Sequence, residues 1–317
     1  MKILITDDCH PVLQQRLEAA GHLCRVWTDC TYLTLLQAVQ DYDALVVRSK
    51  IVIDRNFLDH ARHLRCIGRV GAGMETIDVD YAERLGIRCL NSPEGNRDAV
   101  GEHATGLLLA LFDKVAAADH EVRQGLWRRE ANRGLEVKGK TIGIVGFGNM
   151  GAAFAQRLRG FECRLVAFDK YKPSGYAPDY VDELSLEELQ HEADVVSLHV
   201  PLTDETHYKV DDNFINAFRK PFYLINTSRG AVVKTDALVE AMEKGKVLGA
   251  ALDVIEYEDM TKDAVGGQQT PRAFRYLQQS VRTVLTPHVA GWTVESKYKL
   301  AAVLADKMSD CLNALQC

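Results

Sequence analysis

The six residues Gly146-Phe147-Gly148-Asn149-Met150-Gly151 have the G-x-G-x-x-G spacing of a turn that can cradle a pyrophosphate. They follow the apolar run Thr141–Val145 and open a helix-forming stretch, which is the context such a turn requires. Gly146 permits the sharp turn, Gly148 lets backbone approach a phosphate, and Gly151 lets helix and strand come close. The N-terminus of the following helix favours negative charge. Asp169 stands 21 residues beyond Gly148, directly after the apolar run Leu165–Phe168. A carboxylate there accepts from both ribose hydroxyls and repels a 2′-phosphate, so NAD is expected over NADP. Lys170 and Lys172 leave some room for NADP.

Three further polar groupings close apolar runs. Asn226-Thr227-Ser228-Arg229-Gly230 closes one, Ala251-Leu252-Asp253-Val254 closes another with Glu258 after it, and Thr286-Pro287-His288 closes a third. Each is expected at the carboxyl end of a strand, where open α/β sheets bind ligands.

The elements that position these residues alternate along the whole chain. Short β-branched runs are separated by amphipathic helical stretches, which indicates βαβ units and parallel sheets. The pattern restarts at Lys138-Gly139-Lys140, so two modules are expected. A single long helix from about Asp98 to Val122 is expected to lead into the second. The polar stretch Asp259–Ser280 reads as a surface loop with room for a short helix.

Composition sets the outer limits. Over 317 residues, 47% are hydrophobic and 26% charged, which excludes a disordered or low-complexity chain and suggests two domains. The net charge of −6 without a basic block argues against nucleic acid as a main partner. None of the eight cysteines forms a C-x-x-C pair, so reduced, structural thiols and no metal site are expected. Asp7 and Asp8 come too early for a signal peptide. The longest apolar stretch, Ala104–Phe112, is far short of the ~20 residues of a membrane span. A soluble, cytoplasmic protein is expected.

Together these stretches resemble the D-isomer-specific 2-hydroxyacid dehydrogenase family, over essentially the whole chain. Val46-Val47-Arg48-Ser49, Gly68-Arg69-Val70-Gly71-Ala72-Gly73 and Asn91-Ser92-Pro93-Glu94-Gly95-Asn96 bring the likeness nearest to members that oxidise phosphoglycerate. The resemblance implies two doubly wound parallel-sheet α/β domains. A flavodoxin-like substrate domain (1–97 and 290–317) would be interrupted by an inserted Rossmann NAD-binding domain (98–289). Closure of the two would exclude water from the hydride path.

The resemblance also implies roles for particular residues. His288 would be the proton donor in carbonyl reduction and the base in alcohol oxidation. Glu258 would orient the imidazole and raise its pKa; Glu256 is two residues away, and the family spacing favours Glu258. Arg229 would bind the substrate carboxylate and polarise the carbonyl. Cofactor contacts are implied at Gly146, Gly148, Asn149, Met150, Gly151 and Asp169. His199, Val200, Pro201 and Thr206 would lie beside the adenosine. Asn226, Thr227 and Ser228 would pass the nicotinamide ribose, Asp253 would meet the carboxamide, and His288 and Gly291 would complete the set. The substrate would also meet the Ala72-Gly73 turn, with Arg48 and Arg69 on a phosphate and Asn96 and Arg97 as weaker candidates.

The implied reaction is NAD-dependent oxidation of D-3-phosphoglycerate to 3-phosphohydroxypyruvate, the entry to serine synthesis. One alternative is reduction of an unphosphorylated 2-oxo acid such as glyoxylate or hydroxypyruvate. Another, of a different class, is an NAD-sensing, corepressor-like binding protein. A homodimer through the nucleotide domain is implied, with Ala104–Phe112 as the candidate surface. Two departures stand out. The stretch Ile255-Glu256-Tyr257-Glu258-Asp259 lacks the usual proline and is followed by a long loop. Trp292 stands where small residues are usual; packing at the domain hinge is expected ahead of the alternative, a reshaped substrate pocket. The chain ends at Cys317, and no serine-binding regulatory domain is expected.

Overall fold

The computed structural model describes residues 1–258 and 270–315. The first half of the expected 259–280 loop, residues 259–269, and Cys317 lie outside the described residues; the second half holds the helix Arg272–Gln279. The chain forms two compact units, Met1–Arg97 with Trp292–Cys317, and Asp98–Gly291. The second crossing falls after Gly291 rather than after residue 289. The reason is local: the amides of Val289 and Ala290 donate to Asp253, which keeps them with the second unit.

The first unit holds β1 (Lys2–Ile5), β2 (Leu23–Val26), β3 (Ala44–Val47), β4 (Cys66–Arg69) and β5 (Arg88–Asn91). Every pairing is parallel and the order is β2-β1-β3-β4-β5, the flavodoxin-like arrangement. Successive side chains in a strand point to opposite faces, and here both faces are covered. Ile3, Ile5 and Val46 pack toward Leu300, Leu304 and Met308 of the helix Val294–Ala314. Leu4, Leu45, Val47 and Ile67 pack toward Leu35, Phe57 and Leu58 on the other side.

The second unit holds β6 (Thr141–Val145), β7 (Arg164–Phe168), β8 (Asp182–Glu183), β9 (Val195–Leu198), β10 (Phe222–Asn226), β11 (Val247–Leu252) and β12 (Thr283–Leu285). Its order is β12-β11-β10-β9-β6-β7-β8, again all parallel. From β6 the chain builds outward through β7 and β8, then returns to the other side of β6. That reversal between β6 and β9 is where such sheets open a ligand crevice at their carboxyl ends. Ile142 and Ile144 pack with Phe112 and Phe154 on one face, and Val145 and Val196 pack with Phe214 and Phe222 on the other.

The expected long helix is two helices, Arg97–Phe112 and Val115–Arg123. Lys114 breaks it by adopting a left-handed φ of 53°, and its ammonium donates to the Ala131 carbonyl at 2.8 Å. Of the stretch Ala104–Phe112, expected as a dimer surface, one side faces inward and Thr105, Gly106, Leu109 and Ala110 are not buried. Ala104, Leu107, Leu108, Leu111 and Phe112 are all buried inside the unit, because this helix covers one face of the sheet. The following helix buries no residue, and Val115, Val122 and Trp127 are exposed. Among the described residues no helix is long and apolar enough to cross a membrane, and the seven cysteines are free.

Candidate active site

The glycine turn ends β6 at the sheet reversal. Gly146 has φ +89°, and a Cβ there would meet the His199 carbonyl at 2.6 Å. A Cβ on Gly151 would lie 2.2 Å from the Gly146 carbonyl oxygen, so helix and turn close only without side chains. Gly148 is exposed with open space around it, and it is the N-cap of the helix Asn149–Leu158 without any side-chain cap. The N–H groups of the first turn, including Asn149 and Met150, therefore have no intrahelical partner, which suits a phosphate. Asp169 holds the turn from the next strand: its carboxylate accepts from the Phe147 amide at 2.9 Å and the Tyr171 amide at 3.0 Å.

The loop after β9 is built differently from expectation. The His199 imidazole faces the core, beside Phe154, with Nε2 2.9 Å from the Ser197 hydroxyl. Burial pushes its pKa down to about 3, so it is neutral. Its backbone carbonyl, not its ring, lies against the glycine turn. The Thr206 hydroxyl donates to the Pro201 carbonyl at 2.6 Å and accepts from the Thr203 amide at 2.8 Å, so it closes its own loop. The side chains of His199 and Thr206 thus shape the backbone of the loop expected beside the adenosine, and its His199 carbonyl is the group nearest the glycine turn. Val200 and Pro201 lie between them on the same loop.

At the end of β10, buried Asn226 knots the next loop. Its amide donates to the Arg229 carbonyl at 3.0 Å, and its oxygen accepts from the Ser228 amide and hydroxyl. Arg229 donates to the Ser228 carbonyl at 2.7 Å. The Thr227 hydroxyl is buried without a hydrogen-bond partner among the described residues, an opening for a ligand group. Gly230 follows because nothing larger fits: a Cβ would lie 1.9 Å from the Ile255 carbonyl oxygen. The segment carrying the two glutamates therefore passes directly over the arginine loop.

That passage separates the roles of the two acids. Glu256 accepts from the Tyr208 hydroxyl at 2.5 Å and from the Thr235 amide at 3.0 Å, at the start of the helix Thr235–Glu243. Glu258 accepts from the Ile255 amide with one oxygen and lies 2.8 Å from His288 Nδ1 with the other. Glu258 raises the pKa of His288, against the opposing effects of burial and of the Arg229 charge. His288 has a left-handed φ of 54°, and its amide N–H donates hydrogen bonds to the Asp253 and Thr286 carbonyls.

Asp253 is almost fully buried at the end of β11. It accepts from the Thr286 hydroxyl at 2.6 Å and from the Val289 and Ala290 amides at 2.9 and 2.8 Å, with His103 Nε2 at 3.4 Å. Burial raises its pKa, but these donors outweigh burial and hold it below the usual range. The carboxylate thus organises the His288 turn, with most of its lone pairs already engaged. His103 was not singled out from sequence. The available signal was a histidine on the buried side of the apolar helix Arg97–Phe112, where a polar ring needs a partner.

The first unit gathers its own basic pair. The Arg48 amide donates to Asp7 at 2.8 Å, and Arg69 Nε donates to the Arg48 carbonyl at 3.1 Å. Gly71 has φ +154°, a backbone conformation that L side chains rarely adopt, and the Arg69 guanidinium lies where its Cβ would stand. The Ala72 carbonyl accepts from Asn91 at 2.6 Å, which fixes the Ala72-Gly73 turn. Within the same unit Trp292 is exposed, and the Arg48 guanidinium stacks on its ring at 4.3 Å.

A family model described as "D-isomer specific 2-hydroxyacid dehydrogenase, NAD binding domain" matches residues 105–290. The chain belongs to this family. Curated relatives agree. It is 34% identical to a Thermotoga maritima hydroxypyruvate reductase over 275 residues, 86% of each chain. It is 33% identical to a Methanocaldococcus jannaschii D-3-phosphoglycerate dehydrogenase over 314 residues, 98% of this chain and 57% of that one. A Thermofilum pendens glyoxylate reductase is 35% identical, with 86% of this chain and 78% of that one covered. The chain thus spans little more than half the length of the archaeal phosphoglycerate dehydrogenase. Among solved structures, an Aquifex aeolicus D-lactate dehydrogenase complexed with NAD and lactic acid superposes with a TM-score of 0.82. It is 25% identical, with 99% and 95% of the two chains covered. A Thermus thermophilus protein gives a TM-score of 0.81 at 31% identity, covering 99% and 97%. This family member has the two-domain parallel α/β fold and binds NAD. The uncapped turn at Gly148 and the partnerless Thr227 hydroxyl fit that cofactor.

Proposed function

We propose that the chain interconverts a D-2-hydroxy acid and its 2-oxo acid with NAD, and that the acid is D-3-phosphoglycerate. The observation that carries the reaction type is the contact between Glu258 and His288 Nδ1 at 2.8 Å. With Nδ1 committed to Glu258, Nε2 is left to exchange a proton. It removes the hydroxyl proton in oxidation and returns it to the carbonyl oxygen in reduction. NAD supplies the hydride acceptor. Arg229 offers a planar fork to the substrate carboxylate and polarises the carbonyl. Asn226 and Gly230 position Arg229, and Asp253 positions the His288 turn. Glycine-turn amides and Asp169 are assigned to the pyrophosphate and adenosine ribose.

Arg48 and Arg69 are assigned to the phosphate of the substrate, at the entry to serine synthesis. Their mutual hydrogen bond supports a shared anion. Stacking on Trp292 uses the face of Arg48 and leaves its in-plane donors available. A second reading, reduction of glyoxylate or hydroxypyruvate, is supported by the reductases that match this chain over most of both lengths. The same proposal takes the protein as a cytoplasmic homodimer joined through the second unit, supported by exposed Val115, Val122 and Trp127.

The experiment is a comparison of kcat/KM for 3-phosphohydroxypyruvate, hydroxypyruvate, glyoxylate and pyruvate with NADH. A preference of about tenfold or more for the phosphorylated acid, some 1.4 kcal/mol, supports the phosphoglycerate reading. Equal or better turnover of the unphosphorylated acids moves the assignment to a reductase.

A further inference from the structure

Lys170, Tyr171 and Glu205 form a bridge between two loops at the carboxyl edge of the second sheet. Lys170 and Tyr171 follow β7, and Glu205 belongs to the loop after β9. β6, which carries the glycine turn, lies between those two strands. Lys170 Nζ is 2.5 Å from one Glu205 oxygen, and the Tyr171 hydroxyl donates to the other. The Tyr171 amide donates in turn to Asp169, the acid placed for the ribose hydroxyls. Lys172, the other nearby cation, donates to the Phe147 carbonyl at 2.5 Å and lies over the Phe147 and Tyr176 rings.

These loops thus gather Asp169 and Glu205 with Lys170 and Lys172 beside the glycine turn. In sheets of this kind an acid after the second strand selects the free 2′-hydroxyl, and a nearby cation is what accommodates a 2′-phosphate. Lys170 stands one residue past that acid, yet its ammonium is turned to Glu205. We propose that Glu205 is a second determinant of NAD over NADP: it holds Lys170 away from the ribose 2′ position and adds a second carboxylate against a 2′-phosphate. The ion pair is largely solvent-exposed, so its own stability is small and neutralising Glu205 frees Lys170 without unfolding the loop. Two cations would then face one acid.

The inference rests on NAD binding at the glycine turn and not on the identity of the substrate. It is tested by titration calorimetry of the full chain with AMP and with adenosine 2′,5′-bisphosphate, which differ only in the 2′-phosphate. Glu205→Gln and Glu205→Ala are expected to raise affinity for the bisphosphate relative to AMP about five- to tenfold, the scale of one unit charge a few ångströms away in a high-dielectric setting. Adding Lys170→Met to Glu205→Gln is expected to cancel most of the gain. An unchanged ratio in the Glu205 variants, a gain that Lys170→Met does not reduce, or equal loss of both ligands overturns the proposal. Failure of the wild-type chain to bind AMP contradicts the cofactor site itself and removes the proposal with it.

Discussion

Glu258 and Glu256 are two residues apart and serve different partners: Glu258 meets His288 at 2.8 Å, whereas Glu256 meets Tyr208 and Thr235. The division follows from the close passage of Ile255 over Gly230, which directs the two side chains to different neighbours.

The pH dependence of reduction follows from this pair. Reduction needs His288 protonated, so kcat/KM holds at low pH and falls as pH rises through the raised pKa of His288. Glu258→Gln removes the largest support for the imidazolium and leaves burial and the Arg229 charge, which lower that pKa, opposed only by the smaller effect of Asp253. The falling limb is expected to move to lower pH, and kcat/KM at its optimum to drop about 100-fold, the lower end of what a positioned acid contributes. A pH–rate profile of the variant reads both effects.

Glu256→Ala is expected to behave otherwise. It removes the acceptor for the Thr235 amide at a helix start, which costs about 0.5–2 kcal/mol of stability. Its kcat and pH profile should stay within a few-fold of wild type. Denaturant unfolding and steady-state kinetics on the same preparation separate the two.

The dinucleotide turn and its acid were legible because they are local. Gly146, Gly148, Gly151 and Asp169 sit within one βαβ unit, and their spacing alone implies their neighbours. The central strands of both sheets were legible for a related reason, since short apolar runs buried on two faces leave little freedom, whereas the polar two-residue strand Asp182–Glu183 at the edge gave no such signal. What stayed hidden depends on distant partners. The break at Lys114 follows a left-handed φ and a contact with Ala131 that helix periodicity does not show. His103 gains meaning only beside Asp253 and Thr286, which are far away along the chain. His199 and Thr206 stood in the expected loop, but the directions of their side chains were set by Ser197, Phe154 and Pro201.

Gly230→Ala places a methyl group into the Ile255 backbone, which cannot yield as a flexible side chain would. The expected cost is about 1–3 kcal/mol or more, as for other overpacked sites. Because the displaced segment carries Glu258, activity should fall further than stability alone requires. Thermal unfolding and kcat at a temperature where the variant is folded give the two values.

Arg48→Ala and Arg69→Ala address the substrate. If the pair holds a phosphate, each should raise KM for 3-phosphohydroxypyruvate about tenfold or more, with a much smaller change for glyoxylate. Trp292→Ala, which removes the ring under Arg48, should produce the same selective rise at smaller size. A uniform change across both acids would count against a phosphate subsite.

The most direct measurement is NADH turnover by His288→Asn, with NADH affinity followed by fluorescence on the same protein. The proton-exchange role assigned to His288 predicts a loss of at least about 100-fold in kcat with 2-oxo acids, while NADH binding changes little. Turnover within a few-fold of wild type would contradict it.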